Sequence, residues 1–562
     1  MIVIGALAAV TCVPTGDPGV TDPDAARGTG GTTTPDAPAG GASGGNGGSA
    51  PADGGGGGSV DAGTSVDLGN GREDVAPPGR PPFDWMGVIG TGQSLAVGNL
   101  GVPVNTTPNP YHNLKLSGIT GPPFDPNSAS LTMAPLTEPI RPLISLAAFP
   151  SAYPGNIFGE TPHYFMANQI SALYAATGQG DYVTVHSIIG ESGQPLSVIS
   201  KGAVDMGRTG RAYAVTLFEM RALKRLAMAA GKSYGVAAII MTHGEKDSTN
   251  NGYEDGVHKL WADYNADIKA ITGQTTSIPI YLTQQHSEPF GPGSSTISSL
   301  AMWRLGVKYP GDFVCVGPKY QYQYAGDGRH LTTHEYDRMG AKYGEVYFER
   351  VVRGRNWQPL QPLSAVKRGK TITVTFNVPT GPLNWDETIT PPHQAALTEW
   401  AKGRGFEVSN AGGRVAIDSV AIEGSTVVIT LAADSQAAGW TVGYAMAQDG
   451  SGAMAGPTRG RRGQLRDSNL LVGWDAATIP CAVTSGSPMI QAQAGNAFQY
   501  HGERDVAEGA GLPGNTTVAA KISDGSMRLS APWTGASGMA EIKLRSDHRN
   551  YCVVFEMPVE IP

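Results

Sequence analysis

Met86-Gly87-Val88-Ile89-Gly90-Thr91-Gly92-Gln93-Ser94 is the stretch on which the reading of this chain turns. A short apolar run closing in glycines predicts a buried strand that enters a tight turn. In an α/β protein such a turn sets the Ser94 hydroxyl at the carboxyl end of the sheet, where ligands bind. Far downstream, Asp327-Gly328-Arg329-His330 offers a carboxylate and an imidazole three positions apart. A serine served by an imidazole base and an aspartate is a nucleophile; without them it is a turn residue.

Outward from Ser94, strand-like and helix-like stretches alternate. Strands are expected at Met86–Ile89, Tyr182–Ile189, Val236–Met241, Ile278–Thr283 and Phe313–Val316. Helices are expected at Tyr164–Ala176, Ala212–Ala230, Val257–Thr272, Thr296–Leu305 and Glu335–Val352. Leu217, Met220, Leu223 and Leu226 recur at helical spacing and form one buried stripe. This alternation implies an α/β domain with a mainly parallel sheet covered on both faces, over residues 81–356. The proline-rich stretch between Leu100 and His163 reads as a loop that shapes a cleft beside Ser94.

After Trp357 the period changes. Ile372, Val374 and Phe376 alternate with threonines, and Val427-Val428-Ile429-Thr430-Leu431 follows a Gly-containing turn. Short strands with Gly-rich turns predict a β-sandwich over residues 357–562, with an inserted β-unit near 488–544 and one helical stretch at Gln394–Lys402. Cys481 and Cys552 flank that insert; in an oxidising compartment they pair, otherwise they stay two thiols. Cys315, in a strand, reads as core. Trp385, Trp400, Trp440, Trp474 and Trp533 read mostly as core rather than as sugar-stacking platforms. Arg459-Gly460-Arg461-Arg462 with Arg466 reads as a solvated basic loop.

The 562 residues exceed what one core supports, so several domains are expected. The net charge of −8 without a basic stripe argues against nucleic-acid binding. Four cysteines, without a Cys-x-x-Cys pair or a His/Cys cluster at zinc spacing, indicate neither a metal nor another cofactor. Residues 1–12 form an apolar stretch of signal-peptide length, too short to span a bilayer and without a positive leader. Cys12 resembles the lipidated cysteine of bacterial lipoproteins, which would make a lipid anchor the chain's one link to a membrane. Residues 13–80 are rich in Gly, Ser, Thr, Pro, Ala and Asp, and read as a disordered tether. Export to the cell surface or beyond is therefore expected; nothing in the composition sets an oligomeric state.

The first turn excludes two chemistries. A dinucleotide fingerprint needs glycine where Leu95 stands, and a phosphate loop needs a lysine that is absent. Gly92-Gln93-Ser94 fits half of the hydrolase elbow, but Ala96 replaces its second glycine.

Gly92-Gln93-Ser94 early in the domain and Asp327-x-x-His330 near its end resemble the first and last blocks of the SGNH (GDSL-like) hydrolases. His243-Gly244-Glu245-Lys246-Asp247 and the run His330 to Gly340 narrow the resemblance to sialate O-acetylesterase-like carbohydrate esterases. The resemblance spans roughly residues 81–353 and implies a flavodoxin-like three-layer domain that removes acetyl groups from a glycan. It makes Ser94 the nucleophile, His330 the base and Asp327 its orienting acid. Backbone N–H groups of Ser94 and Gly190 would form the oxyanion hole, with Gly193 the rival of Gly190. His243 stands where the family has glutamine and would add an imidazole N–H. Gln93, Glu245 and Asp247 are either substrate contacts or buried supports. His186 and His286 read as structural, His286 being the fallback base. A lipase or thioesterase on the same scaffold, and a glycan-binding protein with a degenerate hydrolase domain, are the alternatives.

Overall fold

The strand expected before Ser94 runs three residues further than the apolar run, because Gly90, Thr91 and Gly92 continue its ladder on both sides. In this computed structural model the described residues are 79–105, 110–119, 124–141, 159–202, 211–450, 455–469, 471–495 and 497–562. The expected signal segment, Cys12 and nearly all of the expected tether lie outside them. Residues Asp74–Pro562 form one unit of contacts.

The first part is mixed α/β. Its strands are β1 (Trp85–Gly92), β2 (Leu114–Ser117), β3 (Thr132–Pro135), β4 (Thr184–Gly190), β5 (Tyr234–Thr242), β6 (Ile280–Gln284) and β7 (Phe313–Pro318). They form one sheet in the order β3-β2-β4-β1-β5-β6-β7. Only the β2–β3 pairing is antiparallel. The central strands β4-β1-β5-β6-β7 thus follow the 2-1-3-4-5 order of doubly wound sheets. β2 and β3 lie inside the stretch expected to be loop. They are four-residue strands, β3 at the sheet's edge and β2 between it and β4, too short and weakly patterned to be read from sequence.

The helices are α1 (Pro162–Ala175), α2 (Leu196–Ile199), α3 (Arg211–Ala229), α4 (Tyr253–Thr272), α5 (Ile297–Lys308) and α6 (Thr333–Tyr347). Thr161 caps α1 through His163 N–H, with Pro162 in the first turn; Thr296 caps α5 through Ser299 N–H. Successive residues of β1 face opposite ways. Val88 joins Met166, Ile170, Met339 and Tyr343 of α1 and α6. Ile89 joins Val215, Leu223, Val257 and Leu260 of α3 and α4. Helices therefore cover both faces. The stretch expected as one helix to Val352 leaves α-geometry at Tyr347 and closes in a π-turn over Phe348–Val352.

Beyond Trp357 all sheets are antiparallel. Strands 361–368, 371–377, 417–423 and 426–431 form one, and strands 406–410, 413–414, 441–444 and 555–558 another. Val374, Ile429, Val408, Val442 and Phe555 meet in one core that also takes Leu300 and Trp303 of α5. A six-stranded sheet within residues 477–545 has its own core around Ile490, Met527 and Ile542. Gln394–Lys402 holds only a 3-10 turn at Thr398–Trp400.

Two expectations are corrected here. Cys481 and Cys552 are free buried thiols, one in the insert's core and one in the larger core. The basic loop is not solvated throughout: Arg461 is fully buried and donates to the carbonyls of Met446, Pro289 and Ser294. Arg462 is buried against Asp449 at 2.5 Å. Trp400, Trp440 and Trp533 are buried, and Trp385 and Trp474 half-buried.

Candidate active site

The chain leaves β1 at Gly92, whose φ of +139° is open to glycine, and a Cβ there would sit 2.1 Å from the Thr242 carbonyl. The turn is then fixed by Gln93 N–H to Thr242 O, Ala96 N–H to Gln93 O and Asn99 N–H to Ser94 O. Leu95 and Val97 are buried beneath it, which leaves the Ser94 side chain at the sheet's carboxyl edge.

The loop between β7 and α6 brings the partners. Asp327 Oδ1 accepts from the backbone N–H groups of Arg329 (3.0 Å) and His330 (3.1 Å), a tight local turn. Its Oδ2 lies 2.5 Å from His330 Nδ1. His330 Nε2 lies 2.7 Å from Ser94 Oγ. Because a carboxylate only accepts, Nδ1 carries the proton and Nε2 is the acceptor facing the serine hydroxyl. Partial burial opposes ionisation of Asp327, but its hydrogen bonds from the His330 ring and the two backbone amides outweigh that and hold it at about 2. The arrangement can take a proton from Ser94 and stabilise the resulting imidazolium.

Gly190 ends β4 directly opposite Gly92. A Cβ on it would lie 2.8 Å from Gly92 O and 2.9 Å from Val97 Cγ1, so no larger residue fits. Gly193, the rival, has nothing within 4 Å of a Cβ position. Gln93 turns away from the hydroxyl: Nε2 donates to Glu245 Oε2 at 2.9 Å and Oε1 accepts from Lys246 N–H at 3.4 Å. Glu245 Oε1 takes the fully buried Lys319 ammonium at 2.8 Å. Asp247 accepts from Leu196 N–H and from Asn250. Gln93, Glu245 and Asp247 thus brace the floor of the site.

His243 differs from the expectation. Nε2 lies 3.1 Å from the Gln194 carbonyl and therefore holds the proton, and Nδ1 lies 3.1 Å from the Tyr253 hydroxyl. The ring is buried, and burial keeps it neutral by lowering its pKa. Its one N–H is spent on Gln194 and is not offered to an oxyanion. The donor that does reach the centre is Asn99, whose Nδ2 is 3.1 Å from His330 Nε2. Tyr336 OH of α6 fixes the Asn99 carbonyl at 2.8 Å. No sequence motif marks Asn99; only its place on the same turn as Ser94 offered a signal.

His186 is buried between Thr184 Oγ1 and His163 Nδ1, each 2.9 Å away, and burial drives its pKa far down. His286 is buried against the Tyr320 ring, 4.9 Å away, with both nitrogens unpartnered among the described residues. His330, not His286, stands beside Ser94.

No family model matches the chain, and no curated protein does. Solved structures resembling it include a carbohydrate acetylesterase from Xanthomonas citri, with 12% identity and a TM-score of 0.42 over 67% of this chain and 79% of that one. A protein from Arabidopsis thaliana gives 17% identity and a TM-score of 0.34, over 48% of this chain and 99% of its own. NanS gives 13% identity and a TM-score of 0.33, over 47% of this chain and 97% of its own.

Proposed function

We propose that the chain is an exported serine esterase that removes O-acetyl groups from a carbohydrate. The observation that carries the reading is the Ser94 Oγ to His330 Nε2 contact of 2.7 Å, backed by Asp327 at 2.5 Å. The Gly-Gln-Ser, His-Gly-Glu-x-Asp and closing-loop motifs, which resemble carbohydrate esterases, supply the substrate class.

Ser94 Oγ attacks the ester carbonyl while its proton passes to His330 Nε2. Asp327 holds the imidazole tautomer and stabilises the imidazolium. The bond to the sugar oxygen then breaks, and His330 returns the proton to that oxygen. Water attacks the acetyl-serine with His330 as base, and acetate leaves. The oxyanion is held by the backbone N–H groups of Ser94 and Gly190 and by Asn99 Nδ2, which takes the role expected of His243. In the resting site Asn99 donates toward Nε2. Once Nε2 is protonated that contact is lost, and the amide is released toward the oxyanion. Each donor of this kind is worth roughly 3 kcal/mol of barrier.

The test is turnover of a panel of acetylated polysaccharides and acetylated sialic acids beside synthetic esters of increasing acyl length. Acetate release from a glycan, with activity falling as the acyl chain lengthens, is expected. A preference for long acyl or thioester substrates would make the protein a lipase or thioesterase. Glycan binding without turnover would leave only a binding role.

A further inference from the structure

The six-stranded insert meets α6 through a cluster of buried polar side chains that the proposed reaction does not use. Asp475 enters the insert; His501 and Asp505 stand on the turn before its strand Val506–Glu508. Their side chains are 1%, 2% and 0% exposed. One ligand-type atom from each lies within 4.8 Å of the others. Asp505 Oδ2 is 3.2 Å and Asp475 Oδ2 is 3.7 Å from the same atom, His501 Nδ1.

Hydrogen bonding serves that convergence unevenly: the Nδ1–H meets Asp505 Oδ2, while Asp475 Oδ2 takes a 3.5 Å contact from Ser546 Oγ. One Nδ1 carries at most one proton, directed at one acceptor, and 3.7 Å is beyond a hydrogen bond. Two buried carboxylates face that one imidazole, and the His334 ring beside Asp505 offsets part of their charge. A tetrahedral cation with N and O ligands near 2.1 Å has ligand-to-ligand edges of about 3.4 Å, between the two observed separations. The flanking groups are those expected around ligands. Asp505 Oδ1 faces His334 Nε2 of α6 at 3.2 Å, and Gly502 N–H donates to Asp505 Oδ2 at 3.2 Å. Asp475 Oδ1 accepts from Ser546 Oγ at 3.3 Å, and Ser546 in turn meets His548 Nε2 at 3.1 Å.

We propose that Asp475, His501 and Asp505 bind a divalent transition cation, with zinc the best match to one imidazole and two carboxylates. The ion clamps the two chain segments at the foot of the insert to each other. Through Asp505 and His334 it also fastens them to the helix that begins just after His330. This site stands independently of the esterase reading, since its readout is metal binding and melting.

The experiment titrates zinc sulfate into the whole chain, freed of metal by chelation and dialysis, by calorimetry. It then records Tm with and without zinc for the wild type, Asp475→Asn and His501→Gln. The expected result is one zinc per chain and a rise in Tm of roughly 2–5 °C in the wild type. Each variant, shown folded by circular dichroism, should bind at least tenfold more weakly and lose the rise. If one variant does not fold, the other and the wild-type titration still decide. No saturable binding in the wild type, or equal binding and equal shifts in the variants, would overturn the site.

Discussion

At the scale of single residues, the barrier to acyl transfer depends on which donors face the developing oxyanion. Asn99→Ala should lower kcat by about 100-fold with KM little changed, because the donor acts on the transition state rather than on bound ester. Steady-state kinetics on an acetyl ester checks this; an unchanged kcat would return the oxyanion to the backbone alone. The pH profile reports on the acid of the relay. Asp327 has a folded value depressed to about 2, so it stays ionised above that pH and its contribution is lost only in strong acid. Protonation of Asp327 should therefore cost kcat/KM nothing until strong acid, which a pH profile of kcat/KM on an acetyl ester checks. A loss of activity in mild acid that follows the Asp327 carboxyl would contradict this. The convergence of Ser94, Asp327 and His330 was legible because each sits in a short motif with its own chemistry. Asn99 was not, because Tyr336 on α6 fixes it from far along the chain. Arg461 was misjudged for a similar reason: a charged run looks solvated until the carbonyls that satisfy it are known.

At the scale of elements, the close approach of β1 and β4 makes the site. Gly190→Ala places a methyl 2.8 Å from Gly92 O, a backbone atom that cannot swing aside. It should cost about 1–3 kcal/mol in urea unfolding and displace the turn that carries Ser94. A variant as stable and active as the wild type would contradict this packing. The five central parallel strands were legible because buried parallel strands are near-continuous apolar runs. β2 and β3 were not, since four-residue strands carry too few side chains to show a period. The expected helix at Gln394–Lys402 reduces to a 3-10 turn between Pro391-Pro392 and Gly403, residues that resist α-geometry.

At the scale of the molecule, the later β-region belongs to the same unit as the α/β part. Gln284 at the end of β6 exchanges hydrogen bonds with Val554, Tyr320 donates to the Cys552 carbonyl, and Ala455 N–H reaches Gly328 beside Asp327. Leu300, Trp303 and Tyr320 are buried in the larger β core. A chain ended after Asn356 would expose that apolar face and should aggregate or melt many degrees lower, whereas the whole chain should unfold in one calorimetric transition. A soluble fragment with unchanged Tm would show the two parts to be independent. Sequence composition marked where the pattern changes but not this shared core, which depends on contacts between segments far apart in the chain. Acetate release from an acetylated polysaccharide by the wild type and by Ser94→Ala reads the serine chemistry itself. The wild type should release acetate, and Ser94→Ala, with the same circular dichroism and Tm, should be slower by about 10⁴-fold or more. Equal acetate release by the two proteins would remove Ser94 from the reaction.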